Sequence, residues 1–554
     1  MAALFGIPDW VVLLCTLAVL FYLCFRYSRT PKISVNFHNG DLFVVALENK
    51  FRWVSRYKNH WKKQNVPHES YALLFGPMLR ITQKPFHELD LERYKKYGRV
   101  YGMFESGKPS LFVAEPELLK QILLKDFLVL PNRRTVNFFE PLFDYMLSVI
   151  PYPRWKTIRK YYSPVFTSGK IRKMEHQIEA CTKSTMSHLQ KAAEEERDVE
   201  LGHFFGNFSL DLIARYAFGT CLDSHSDKTN DFVTYAKKVF GTDFSVSLIV
   251  YFLLPGVAKF FRMKLYNPAT LGYFRSLCQR VIKGRLDSKI RQDDFLQQMI
   301  DSQQGKWVGD SLKETTDAEE KIFDVDSKLV DSEEVPSNAL SEDEAMAQCF
   351  MFLVAGQQTT SSVVAFTLYM LALNPEVQEK LREEVDLCVA KHGEHPAMEV
   401  VAKLEYLHGV ISEILRMFPP ASRLERETTK DYALGDTGIR VPKGCIVAVP
   451  LYAMHHDPEY FPDPHEFRPE RFIGENATNI RPYTYLPFGA GPRNCVGMRL
   501  GLQASKMAVF HSVRIARFVR TDKTKVPLDF FKGYGVISSS DITVGVRKRA
   551  ATNK

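Results

Sequence analysis

Near the C-terminus the stretch FGAGPRNCVG sets Phe488, Gly491, Arg493, Cys495 and Gly497 at the spacing Phe-x-x-Gly-x-Arg-x-Cys-x-Gly, and a helical run follows. Two glycines bracketing a cysteine let a tight loop bring its backbone close to a flat cofactor. Amide groups and a helix N-terminus beyond Cys495 favour the thiolate, the form of cysteine that ligates metal. Arg493 stands where it could neutralise a nearby carboxylate. A cysteine taken alone is more often a small buried hydrophobe. Five matches in one window, however, arise by chance on the order of once per ten thousand chains of this length.

This loop resembles the haem-binding loop of the cytochrome P-450 family, whose cysteine thiolate is the proximal iron ligand and pushes electron density toward O–O cleavage. The resemblance implies haem b (iron protoporphyrin IX) as cofactor and Cys495 as its metal ligand. It extends upstream. Glu413 and Arg416 in SEILRMFPP and Arg471 in FRPERF match the family's buried Glu/Arg/Arg triad. A carboxylate held by two guanidiniums pins a helix to the segment before the cysteine loop, an architectural role. Glu-x-x-Arg alone is a common surface pair, so its weight comes from standing in order with Pro469, Arg471 and Cys495. Trp155 and Arg159, four apart in WKTIR, match the pair that in this family reaches the haem propionates, where a fork-shaped cation suits a carboxylate. Arg426 in RLERETTKD and Arg133 in PNRRTVNFF match further positions of that kind, with Arg134 adjacent to the latter. Phe488, Arg493 and Ala355 complete the haem contacts that the resemblance implies.

These residues need elements to hold them. Residues 345–373 are uncharged and end at Asn374 and Pro375, as a helix should. Glu342, Asp343 and Glu344 lie at its start, where the helix dipole favours negative charge. The run is long enough to span a bilayer, but residues 357–362, QQTTSS, would be costly in lipid. It is therefore expected to pass through the core of a large domain. It matches the family's oxygen-side helix, usually Ala/Gly-Gly-x-Asp/Glu-Thr-Thr/Ser, which here reads Ala355, Gly356, Gln357, Gln358, Thr359, Thr360. Gly356 weakens the helix, and the Thr359 hydroxyl can bond back to the Ala355 carbonyl, leaving a notch for dioxygen and water. Thr359 is the candidate for handling the proton delivered to oxygen. Gln358 replaces the usual acid, and an amide orients water without binding or releasing a proton at neutral pH. Slower or leakier oxygen activation is expected; a purely structural amide is the other reading.

The 554 residues, 45% apolar, 25% charged and 12% aromatic, exclude disorder, collagen and small disulfide scaffolds. Nine scattered cysteines without a Cys-x-x-Cys pair suggest neither a disulfide framework nor a zinc ribbon, and place the body in a reducing compartment. Helical spacing dominates, as in 115–125 and 375–391. Short strands are expected at 99–103, 110–114, 439–442, 446–450 and 542–546. The fold class is mostly α with small β-sheets: one catalytic domain over 67–554, with no interior linker. Within it, residues 310–344 carry thirteen acidic residues against three lysines and read as a solvated loop.

The uncharged run of residues 10–25, extended by 4–7, approaches the roughly 20 residues that span a bilayer. The domain reading is a membrane anchor over 1–25 and a basic segment over 26–66. Positive charges follow the apolar run, whereas a cleaved signal peptide carries them before it. The following side then stays cytosolic, giving a single-pass endoplasmic reticulum protein. Segment 26–66 has nine basic and two acidic residues. With Phe37, Phe43, Phe51, Trp53 and Trp61 it reads either as a lipid-surface element or as a solvated tether. The rest is nearly balanced within the formal +9, so no nucleic-acid partner is expected. Asn207 and Asn476 begin sequons that a cytosolic domain leaves unused.

The resemblance, closest to the family's microsomal, lipophile-oxidising branch, implies haem held between the 345–373 helix and the Cys495 loop. It implies a monooxygenase inserting one atom of O2 into a lipophilic small molecule: a steroid, lipid or xenobiotic. Electrons come from NADPH through a flavoprotein reductase, with cytochrome b5 a further candidate donor. Phe138, Phe139, Ala421, Ser422 and residues 536–540 match pocket-lining regions. Two other readings stand beside it: isomerisation or dehydration of a lipid peroxide, against which Thr359 argues, and a haem sensor or carrier, slightly favoured by the missing acid at 358.

Overall fold

The computed structural model describes residues 57–70, 80, 83–105, 107–227, 229–240, 267–288, 295–303, 340–532 and 536–549. The expected anchor, the basic segment up to residue 56 and the acidic stretch 310–339 lie outside these residues. The helices that position the site are α1 (Phe86–Tyr97), α2 (Arg154–Tyr162), α3 (Glu175–Glu194), α4 (Leu201–Phe218), α5 (Glu342–Leu373), α6 (Pro375–His392), α7 (Glu405–Met417) and α8 (Met498–Ile515).

Helix α5 starts on a capping box. The Glu344 amide donates to Ser341 Oγ at 3.2 Å, and the Ser341 amide donates to Glu344 Oε2 at 2.8 Å. Glu342 to Glu344 are therefore helical, and the acidic loop ends three residues before the expected 344. Apolar nearly all round, α5 satisfies its surface only by being enclosed; it packs against α4, α7 and α8. Among the described residues it is the one helix long and apolar enough to cross a membrane, yet the stretches on either side of its polar centre, at 344–350 and 361–372, are buried in the body. Helix α6 opens with Pro375 in its first turn, where the missing N–H costs nothing. The 115–125 run divides into an α-turn (Pro116–Lys120) and a π-turn (Gln121–Lys125).

Among the described residues, nine strands form three small sheets. They are β1 (Val100–Glu105), β2 (Lys108–Val113), β3 (Asp198–Glu200), β4 (Leu424–Glu427), β5 (Tyr432–Ala433), β6 (Arg440–Val441), β7 (Ile446–Val449), β8 (Ala516–Val519) and β9 (Thr543–Lys548), in orders β1-β2-β7-β4, β3-β9-β8 and β5-β6. All five expected strands are present within a few residues. Strand β4, LERE, escapes the sequence reading because charge on both faces hides its alternation; its partners Glu425↔Ala448 and Arg426↔Val447 lie on β7.

Packing reaches back before residue 67. Trp61, expected at a basic surface, is fully buried, and its indole donates to the Met103 carbonyl at 2.9 Å. Gln64 accepts the Arg440 amide at 2.7 Å. Asn207 is buried within α4, so its sequon is sterically closed in the folded chain.

Candidate active site

The cysteine loop is shaped by its own backbone. Gly489 and Gly491 have φ of 74° and 70°, and a Cβ on Gly491 would lie 2.2 Å from the Leu123 carbonyl oxygen. At Gly491 the close approach is thus to neighbouring protein. The Cys495 amide donates to the Phe488 carbonyl at 2.8 Å, closing the turn. Burial raises the Cys495 thiol above its ordinary pKa; a hydrogen bond from the Gly497 amide and the charges of Arg159 and Arg133 oppose the rise.

Accessibility follows an unusual pattern. Residues 491–494 are buried but Cys495 is exposed, although protein surrounds the thiol closely enough to desolvate it. On α5, Ala355 is exposed and 356–360 are half-buried between buried flanks. Phe166 links the two elements: its ring stacks on Phe352 of α5 at 5.4 Å and lies against Gly497. Surface exposed in the middle of a core helix and at an enclosed loop marks an internal hollow between them.

Four guanidiniums converge beside this loop. Arg133 donates to the Arg493 carbonyl at 3.2 Å, and Arg493 to the Ile150 carbonyl at 3.2 Å. Arg426 donates to the Glu425 carbonyl at 2.9 Å. Arg159 spends two of its donors on Asn494, at 3.1 Å to the carbonyl and 2.8 Å to Oδ1. Arg493 lies 4.4 Å over the Trp155 ring. Burial, then mutual repulsion, pulls Arg493 down to about 8 and Arg426 to about 9. Arg159 falls to about 10 through burial, against the attraction of Cys495. Arg426 Nε and Arg493 Nε and Nη1 are buried without a partner. Among the described residues no carboxylate pairs with any of the four. Arg154, forked on Glu344 with Nε 2.6 Å from Oε1, ties α2 to the start of α5 and so places Trp155 and Arg159.

Thr359 Oγ donates to the Ala355 carbonyl at 2.7 Å, as its spacing predicts. Gln358 Nε2 donates to Ser538 Oγ at 3.1 Å. The expected lining segments come together in part: Ala421 bridges Val536, and the Ile537 amide donates to the Pro420 carbonyl at 2.9 Å. Phe138 packs on Phe143, which meets Phe350 of α5; Phe139 is exposed. Glu413 and Arg416 are fully buried and joined at 2.7 and 2.9 Å, with Arg471 at 3.3 Å. Arg416 also donates to the His455 and Pro464 carbonyls at 2.9 Å, which ties α7 to the chain ahead of the cysteine loop. Asn494 joins the site without a signal that singles it out in the sequence, whereas Ser538 belongs to the 536–540 segment expected at the pocket.

Buried cations without carboxylates call for a ligand bearing at least two acids, and an exposed thiol within an enclosed loop suits a metal centre. Haem b, with two propionates and an iron that takes a thiolate, fits these residues. Fold and site together define a haem-thiolate protein. Comparison with known proteins agrees: the family model "Cytochrome P450" matches residues 66–540. The chain is 34% identical over 495 residues to Cytochrome P450 3A41 of Mus musculus (88% of this chain, 92% of the relative). It is 34% identical over 520 residues to Cytochrome P450 3A7 of Homo sapiens (92% and 97%), and 35% identical over 496 residues to Cytochrome P450 3A5 of Homo sapiens (88% and 92%). The chain belongs to the cytochrome P450 family. It is a haem-thiolate monooxygenase that carries haem b through a cysteine.

Proposed function

We propose that this monooxygenase inserts one oxygen atom from O2 into a lipophilic small molecule, taking electrons from NADPH through a flavoprotein reductase. The observation that carries the reading is the ring of carboxylate-free guanidiniums beside Cys495. Cys495 is the iron ligand, held by the Gly497 amide. Arg133, Arg426, Arg493 and the remaining donors of Arg159 bind the propionates, with Trp155 fixing Arg493. When bound, haem b supplies the iron at which O2 is activated, its thiolate ligand favouring O–O cleavage. Thr359 spends its donor on the Ala355 carbonyl, so the lone pairs of its oxygen accept a hydrogen bond from water and orient that water's proton at this point. Gln358, tied to Ser538, orients without supplying a proton. Glu413, Arg416 and Arg471 keep α7 and the cysteine loop in register. The apolar run at 10–25 followed by basic residues supports single-pass anchoring in the endoplasmic reticulum membrane, with the body cytosolic.

Reconstitution in lipid with a microsomal reductase tests this. NADPH consumption should rise with a lipophilic compound and yield its oxygenated product, after the ferrous carbonyl complex has shown a thiolate-type spectrum. That spectrum without reductase-dependent turnover overturns the electron source. Its absence removes Cys495 as ligand.

A further inference from the structure

Ala355, Gln358 and Thr359 share one face of α5 through the three- and four-residue spacing of a helix. That face opens on the hollow: Ala355 is exposed within a core helix, and Gln358 and Thr359 are half-buried. Gln357, next in sequence, turns away to α4, its Nε2 donating to the Gly206 carbonyl at 3.5 Å. Ser538 meets Gln358 from the 536–540 segment, its Oγ accepting from Nε2 at 3.1 Å. The backbone around Ser538 is fixed on both sides: its carbonyl accepts the Phe531 amide at 3.0 Å, and the Ile537 amide donates to the Pro420 carbonyl at 2.9 Å. Ser539 turns elsewhere, its hydroxyl donating to the Asp529 carbonyl at 2.7 Å. Ser538 is only 6% exposed, yet among the described residues its O–H has no acceptor, and Gln358 Oε1 has no donor. Enclosed polar groups left in this way are costly unless something polar meets them. The pair thus holds one donor and one acceptor side by side for a molecule that enters the hollow.

We infer that Gln358 and Ser538 form a hydroxyl-recognising subsite, so that the preferred substrate is a lipophile bearing an alcohol. The inference rests on the reading of the hollow as the pocket of a lipophilic substrate, and narrows its class. An alcohol oxygen accepts from the Ser538 O–H while its own proton goes to Gln358 Oε1, which satisfies both groups at once. A ketone or ether accepts from Ser538 but leaves the Gln358 oxygen unpaired. An alkane leaves both, after displacing the water that would otherwise serve them. The surroundings are apolar: Phe530, bridged to Ser539, packs with Phe418 and with Phe366 of α5. In such a setting an unmade hydrogen bond discriminates strongly between a substrate that has the hydroxyl and one that lacks it.

Titration of the haem-loaded full chain with 1-adamantanol and with adamantane, followed by the change each makes in the Soret band, gives two dissociation constants whose ratio reads the subsite without reference to turnover. Partition into lipid is common to all variants and cancels when ratios are compared. Ser538→Ala and Gln358→Leu should each move the ratio toward the alkane by on the order of five- to tenfold. 1-Fluoroadamantane, of similar shape but without a hydroxyl, should keep its ratio to adamantane in both variants. An alcohol-to-alkane ratio that stays unchanged in either variant, with adamantane still bound, overturns the subsite and leaves the lipophile reading intact; each variant decides this alone if the other does not fold. A fluoride that shifts as far as the alcohol means that shape rather than hydrogen bonding is read, and the inference fails. A wild-type Soret band that neither adamantane nor its alcohol moves overturns the lipophile reading, and this inference with it.

Discussion

Thr359 and Gln358 are adjacent on α5 with different commitments. The threonine bonds its own helix, which places an oxygen with free lone pairs at the accessible middle of a core helix. The glutamine bonds Ser538, in a segment that returns to Pro420 and Ala421. Its amide thus has a structural duty as well as the chemical deficit of being unable to carry a proton. In Gln358→Glu the introduced carboxylate would accept from the Ser538 hydroxyl, keeping the tie with the donor reversed and adding a titratable group. The expected outcome is more product per NADPH consumed, a gain that Thr359→Val in the same chain abolishes. Unchanged coupling would assign Gln358 to structure alone. The chemistry-bearing residues are legible in sequence because their spacing is rigid within short windows. The commitment of each side chain is not: Arg493 meets an indole face, and Arg159 spends half its fork on Asn494.

The cysteine loop shows how an element constrains its residues. Gly491 combines a left-handed backbone with close approach to the Leu123 carbonyl, so both conformation and space exclude a side chain. Gly491→Ala costs about 1–2 kcal/mol for the backbone alone, and the overlap with Leu123 adds to that. The variant is expected to bind haem weakly and to lose the thiolate-type carbonyl spectrum, while far-UV circular dichroism keeps its helical form. Normal haem content would mean that the loop tolerates displacement. Helix α5 is readable through its length, its polar centre and its Asn-Pro end, and its Ser341 cap sharpens the start. Strand β4 is not, since Glu425 and Arg426 find partners on opposite faces and neither face reads as apolar.

The folded body buries many histidines deeply enough to disfavour their charged form. Burial holds His87, His225 and His511 down to about 4, and His408 and His455 to about 3. For each, the unfolded chain binds more protons between roughly pH 4 and 6.5, so stability falls as pH is lowered through that window. Several sites act together. Asp211, raised by burial to about 6, works the other way and offsets a part. The thermal midpoint of the haem-loaded protein is therefore expected to drop steeply between pH 7 and 5, with proton uptake on unfolding. Equal midpoints at the two pH values would contradict the burial of these side chains.

Local order in the chain is enough to specify the cysteine loop, the triad in its order, the long central helix and the mostly helical class, because each depends on spacing within one segment. Tertiary structure decides how neighbours in sequence divide their tasks. Arg133 faces the cysteine loop while Arg134 faces Glu105 and Glu425, and Trp61 leaves a basic stretch for the core. Those outcomes depend on which distant carboxylate, carbonyl or apolar surface packing delivers to each side chain, and one-dimensional spacing carries no record of that.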